Sequence, residues 1–178
     1  KWKPNTFAVT LSFSPSGSAT TKFANGSFDY GTDVTMRWTP ASGYQTLNVK
    51  DNTDVVTVSE NSYTINDIKT AHNVVVNMVQ IKHKLSFGQN DGVVYQTEDV
   101  AEYARFQFPT TVSGTIPAGQ SFVGWSTAPN QNSLSAVVGV PGGYETMKTQ
   151  DLTYYAVLVP IVYHVSIAAA VDGTLVSF

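Results

Sequence analysis

The sequence predicts a mainly β chain built from tandem small modules, on three observations. Apolar and polar residues alternate with a period of two through its apolar segments. Turn-forming Gly, Pro, Asn, Asp and Ser punctuate those segments at short intervals. Apolar–hydroxyl–apolar triplets recur at long, near-constant offsets: Val9-Thr10-Leu11, Leu85-Ser86-Phe87 and Val165-Ser166-Ile167 are 76 and 80 residues apart. A glycine follows each triplet at a near-constant distance: Gly17, Gly92 and Gly173. Two Pro joints also match. Pro4 ends Lys1-Trp2-Lys3-Pro4 and Pro160 ends Val157-Leu158-Val159-Pro160, each five residues before a triplet. The chain therefore reads as a stretch of a repeat array. Residues 1–4 end a preceding repeat, 5–81 form a first module and 82–161 a second. Residues 162–178 start a third repeat or supply exchangeable terminal strands.

In the first module, Phe7, Val9, Leu11 and Phe13 share one face of a strand, and Ala8, Thr10 and Ser12 the other. Ser14-Pro15-Ser16-Gly17 is a turn. Asn25-Gly26, flanked by Phe23 and Phe28, predicts a tight hairpin. Asp33 to Trp38 is a strand that Pro40 closes. Further strands are expected around Asn48-Val49, Val55 to Val58, Tyr63 to Ile65 and His72 to Val79, with one helical turn at Asn66 to Lys69. In the second module, Lys84 to Phe87 and Val93 to Tyr95 are strands either side of the turn Asn90-Asp91-Gly92. Glu98 to Phe108 is the one helix candidate, because Val100, Tyr103, Ala104 and Phe108 have helical spacing; a strand through Ala104 to Phe108 competes with it. Phe122 to Trp125 and Asp151 to Leu158 are strands. Phe122, Trp125, Tyr155 and Val157 are the expected core, with Gly124 allowing close approach to the indole.

The 178 residues are 42% hydrophobic, as in a globular chain, and module lengths near 80 suffice for a modest core. Only 13% are charged, against a typical ~25%. Thr, Ser, Asn and Gly occupy positions where charges would otherwise stand. The net charge is −3 and the two arginines, Arg37 and Arg105, are far apart, which argues against a phosphate-tracking surface and hence against nucleic acid as partner. No apolar run reaches the length of a membrane span. The chain has no cysteine, so no disulfide framework and no thiolate metal site. Low charge and Thr-rich strands point to an extracellular setting.

A resemblance follows from Phe122-Val123-Gly124-Trp125-Ser126, Tyr144 and Asp151-Leu152-Thr153-Tyr154-Tyr155-Ala156-Val157. These residues resemble the InlB B-type (Listeria–Bacteroides) repeat of bacterial surface proteins across 82–160. That pattern has an aromatic before Gly-Trp and closes on Asp-x-Thr-aromatic-Tyr-Ala-x-Trp; Leu158 stands near its usual terminal Trp. Residues 5–81 resemble a divergent relative through Tyr30 to Thr35, Gly43-Tyr44, Tyr63 to Ile65 and His72 to Val76, without the Gly-Trp pair. The resemblance implies small β-grasp-like modules with at most one short helix each, arrayed on bacterial surface proteins as stalks or adhesive segments; a similar part of a phage fibre is the other expected setting. It implies neighbouring repeats of the same or another chain as partners, together with a surface glycan or protein, and it brings no catalytic residue.

No enzyme motif stands out, and neither cofactor nor metal is expected. His72, His83 and His164 read as members of solvated faces. Asp51 to Asp54 and Gln89 to Asp91 are oxygen-rich, but Asn and Asp favour turns and no calcium-loop ladder accompanies them. Glu98, Asp99 and Glu102 form the nearest thing to a paired-acid cluster, but capping and solvating a short helix explains them better. Lys22, Lys50 and Lys84 are conceivable partners in a Lys–Asn isopeptide bond, though nothing selects a trio. Trp38, Tyr44, Trp125 and Tyr144 are the candidate ligand or packing aromatics; of these Trp38, Tyr44 and Tyr144, if exposed, would offer a sugar-stacking platform, as in a carbohydrate-binding module, though aromatics at this density more often form core. The expected function is a non-enzymatic spacer or adhesive segment. The alternative is an assembly subunit joined by strand addition through 162–178.

Overall fold

The structure is a computed structural model that describes residues 5–165, 168–171 and 174–177. Lys1 to Pro4, most of the third triplet and the Asp172-Gly173 turn lie outside the described residues. The chain is mainly β. It divides into two compact units: residues 1–83 with 101–103, and residues 84–100 with 104–178.

The first unit contains β1 (Thr6–Ser14), β2 (Ala19–Thr21), β3 (Gly26–Asp29), β4 (Val34–Pro40), β5 (Tyr44–Asp51), β6 (Asp54–Val56), β7 (Ser62–Ile65) and β8 (His72–Gln80). Alternation places Val9 and Leu11 of β1 inward and Ala8 and Ser12 outward. One sheet has the order β3-β1-β8-β5-β6, the other β2-β4-β7. β1 and β8 run parallel, from Val9 opposite His72 to Ser14 opposite Asn77, while β5 flanks β8 antiparallel. Val9, Leu11, Val49, Val74, Val76 and Met78 of the larger sheet meet Val34, Met36, Trp38 and Ile65 of the smaller in one core.

The second unit contains most of β9 (Lys82–Gly88) and of β10 (Val94–Ala101), together with β11 (Arg105–Gln107), β12 (Gln120–Ser126), a three-residue 3-10 turn (Leu134–Ala136), β13 (Tyr144–Thr146) and β14 (Leu152–Pro160). Its main sheet has the order β10-β9-β14-β12, and β11 pairs with β13. β9 and β14 are parallel, Leu85 opposite Leu152; β12 flanks β14 antiparallel with a bulge between Phe122 and Gly124. The core is aromatic: Phe87, Phe106, Phe108, Trp125 and Tyr154 close around Leu85, Met147 and Ala156. Phe87 meets Trp125 edge-on at 4.9 Å and Phe108 meets Tyr154 edge-on at the same distance, the geometry aromatic quadrupoles favour. A further antiparallel pair, β15 (Ala168–Val171) and β16 (Thr174–Ser177), follows.

The two units share a sheet plan. The first strand pairs parallel with the last (β1 with β8, β9 with β14), and the last takes an antiparallel neighbour on its other side (β5, β12). The strand flanking the first completes the order β3-β1-β8-β5 in one unit and β10-β9-β14-β12 in the other. Where a β-grasp module would lay a helix across the sheet, each unit lays a small second sheet.

Several expectations are corrected. Glu98 to Phe108 is no helix. β10 runs through Ala101, Tyr103 turns the chain with φ +61°, and β11 follows with Phe106 buried and Arg105 and Gln107 exposed. Pairing to β13 overrides the helical spacing. Asn66 to Lys69 forms no helical turn: Asp67 has φ +52°, and its N–H donates to the Asp33 carboxylate (2.8 Å) while Ile68 buries its side chain. Asn25-Gly26 makes no tight hairpin. β3 pairs back to β1, Val9 opposite Gly26, and the Asn25 side chain accepts the Leu11 N–H (2.8 Å). In β14, the aromatic core takes Tyr154 and Ala156, while Tyr155 is half-buried on the other face. Val157 is also fully buried, because β14 is covered on both faces at that point; Phe122 packs partly buried against the aromatic cluster. Gly124 does permit a close approach, of the 137–139 segment: a Cβ there would stand 2.5 Å from Val137 Cγ1 and 2.9 Å from the Gly139 carbonyl.

Candidate functional site

The four candidate aromatics do not make a platform. Trp38 is buried, and its Nε1 donates to Thr46 Oγ1 (2.9 Å). Tyr44 is half-buried against the same core. Trp125 is fully buried, with Nε1 donating to the Pro109 carbonyl (3.0 Å). Tyr144 is 55% exposed, with the Arg105 guanidinium 4.0 Å above its ring. Only Tyr144 therefore presents a ring to solvent, and a cation already covers one face of it.

The titratable groups sort themselves into pairs that alternation did not foretell. Asp51 ends β5 and is 8% exposed. Its Oδ2 accepts the Tyr63 hydroxyl (2.9 Å) and lies 2.6 Å from His72 Nδ1, while Oδ1 is buried without a hydrogen-bond partner among the described residues. The cluster ties the β5–β6 hairpin to β7 and to the start of β8. The turn beside it is doubly bonded to β8: Asn52 N–H donates to the Asn73 carbonyl, and Asn73 N–H to Asn52 Oδ1. Burial, then the bond to Asp51, pushes the Tyr63 phenol up to about 12. A second pair joins His83 Nε2 to Glu102 Oε1 at 3.1 Å, with side-chain exposures of 18% and 10%. His72 and His83 are thus not on solvated faces, as their place in the sequence suggested; His164 is exposed. A sequence signal for these pairs is absent, since each links residues about 20 positions apart through tertiary pairing.

The acidic trio is dispersed. Asp99 pairs with Lys84 (3.1 Å), Glu102 with His83, and Glu98 is exposed, so no two of them form an acid–base couple. Lys22, Lys50 and Lys84 are exposed, which removes the burial an isopeptide centre needs. Among the described residues no group of three His, Cys, Asp or Glu is placed to hold a metal ion. In the second unit a cleft of about 330 Å³ is lined by Gln89, Asn90, Ser113 and Gln120. Its Asn90 amide is committed to the backbone, donating to the Gln131 and Ala156 carbonyls at 2.7 Å each.

The outer sheet faces carry cross-strand polar pairs: Thr10 with Asn73 (2.8 Å), Asn48 with Asn77 (2.7 Å), Thr35 with Thr64 (2.9 Å) and Ser86 with Thr97 (2.9 Å). Hydroxyls and amides that satisfy one another leave a surface of low charge. No helix of the described residues is long and apolar enough to cross a membrane. Comparison with protein-family models finds no match, and comparison with curated proteins finds none.

Proposed function

We propose that this chain is a non-enzymatic segment of an extracellular, repeat-built protein of a bacterial surface or phage fibre, serving as a stalk or adhesive spacer under tension. One observation carries the reading. In each unit the first and last strands lie side by side and parallel, β1 with β8 and β9 with β14. Pulling on the start of the first strand and the end of the last slides two parallel strands past each other. Their evenly spaced hydrogen bonds then bear the load together, where an antiparallel pair joined by a hairpin would open one bond at a time. The low-charge polar faces and the likeness of sheet plan between the units support the same reading. Stretching the full chain by its two ends in a force spectrometer is expected to give two separate unfolding peaks, each releasing on the order of 250 Å of chain. Extension without peaks would remove the stalk reading.

A second reading is favoured by the β15–β16 pair, which has no third strand among the described residues. A lone two-stranded ladder is marginal in water, and Val162, Tyr163 and Val165 just before it are exposed. Strand addition from a neighbouring molecule would complete it. Under this reading, light scattering finds a molar mass that rises with concentration for residues 1–178 and not for a chain stopped at Pro160. Equal masses for both set it aside.

A further inference from the structure

A cleft of about 610 Å³ opens in the first unit beside β4. It exists because β2 is short. β2 pairs with β4 only at Trp38 to Pro40, whereas β7 pairs with Val34 to Arg37 on the opposite edge. Thr21 makes the divide: its hydroxyl donates to the Arg37 carbonyl (2.6 Å) and accepts the Phe23 N–H (3.0 Å), which turns the chain away. From there to Phe28 the chain stands off β4, with Phe23 and Phe28 stacked at 5.9 Å and packed on the core. Among the described residues no strand pairs with Val34 to Arg37 on this side.

The open edge has defined polarity. Trp38 N–H donates to the Asn61 carbonyl on the β7 side (3.1 Å). Alternation along an antiparallel strand then turns the N–H and C=O of Thr35 to the open side. The cleft is lined by Phe23 and Phe28 and by two cations, Lys22 and Arg37. Both cations are exposed, and neither has an ion-pair partner among the described residues of a chain whose net charge is −3. Asp33 stands at the other end of the β4 segment, its carboxylate accepting the Asp67 N–H.

We infer that the cleft between β4 and the segment 22–28 binds an extended acidic peptide of another protein by strand addition to Thr35. The incoming strand exchanges backbone hydrogen bonds with Thr35, sets an apolar side chain on Phe23 and Phe28, and turns the next, acidic one toward Lys22 and Arg37. Charge complementarity selects the sign of the partner, and Asp33 disfavours a second acidic residue at the far end. An acidic polysaccharide would use the cations but leave the Thr35 backbone unpaired.

The test uses the full chain and a fluorescent peptide, acetyl-Thr-Val-Glu-Val-Asp-Thr-amide, with its Gln/Asn analogue and polygalacturonate as competitors. Anisotropy is expected to show binding that weakens with salt. The analogue, and the variant Lys22→Gln/Arg37→Gln, should bind at least about tenfold more weakly. Hydrogen exchange at the Thr35 amide should slow when the acidic peptide is added, a readout that simple charge attraction does not move. Exposed charge removal leaves the core intact, so circular dichroism of the variant should match the parent. No binding, binding indifferent to the two cations, binding without protection of Thr35, or capture of polygalacturonate alone each overturns the proposal.

Discussion

Trp125→Ala is expected to destabilise the second unit strongly while the first keeps its stability. The indole is fully buried, meets Phe87 at 4.9 Å and Phe122 at 5.2 Å, and donates its N–H to the Pro109 carbonyl. Truncating a buried aromatic of this size costs about 3–5 kcal/mol, and the Pro109 carbonyl loses its partner as well. That approaches the whole stability of many small domains, ~5–15 kcal/mol. Hydrogen exchange should speed up at least about a hundredfold in β9, β12 and β14. Protection in β1, β5 and β8 should be unchanged if the units fold independently. Trp125→Phe, which keeps most of the volume, should cost much less. A loss below about tenfold in Trp125→Ala would mean that the indole does not anchor this core.

The second large effect is expected at Asp51. His72→Ala leaves a buried carboxylate with Tyr63 as its one remaining partner among the described residues, at a cost on the order of 3 kcal/mol. Adding Asp51→Asn should restore part of the loss, because a neutral amide is cheaper to bury than an unpaired charge. Urea unfolding of the two variants measures the difference. The same cluster predicts an alkaline limit. The Tyr63 phenol is raised from 10.0 to about 12, by burial first and by Asp51 second. Below pH 10 it is protonated in both folded and unfolded chains. Above that the unfolded chain ionises first, so stability is lost as pH rises from about 10 through about 12. The stability advantage of the parent over Tyr63→Phe should therefore shrink across this window. A constant difference would show that folding does not raise the phenol.

The elements that were legible are those whose register is local. Phe7, Val9, Leu11 and Phe13 alternate with polar residues, and β1 forms there with that face inward. The apolar–hydroxyl–apolar triplets at Val9 and Leu85 fall on the first strands of the two units. Ambiguity arose where local spacing fits two periods. Tyr103, Ala104 and Phe108 suit a helix, yet Phe106 and Phe108 suit a strand, and only pairing between β11 and β13 decides. Asn25-Gly26 misled for a related reason: a turn-forming pair was used to dock an amide on β1 rather than to close a hairpin. The four candidate aromatics were legible as residues but not as inside or outside. Burial is a property of the partner surface, and Tyr144 differs from Trp125 in what lies above it rather than in its own neighbours along the chain.

By itself the sequence determined that this is a mainly β chain, through side-chain alternation and turn chemistry that act over a few residues. The tertiary structure alone decided the rest. Parallel pairing of β1 with β8 joins residues 63 apart, as at Val9 and His72, and no short-range preference encodes such a register. The buried Asp51–His72–Tyr63 contacts and the open edge of β4 follow from which strands end early and which run on. That is settled by the packing of whole sheets, where the free energy of burying a core outweighs the preference of any one segment.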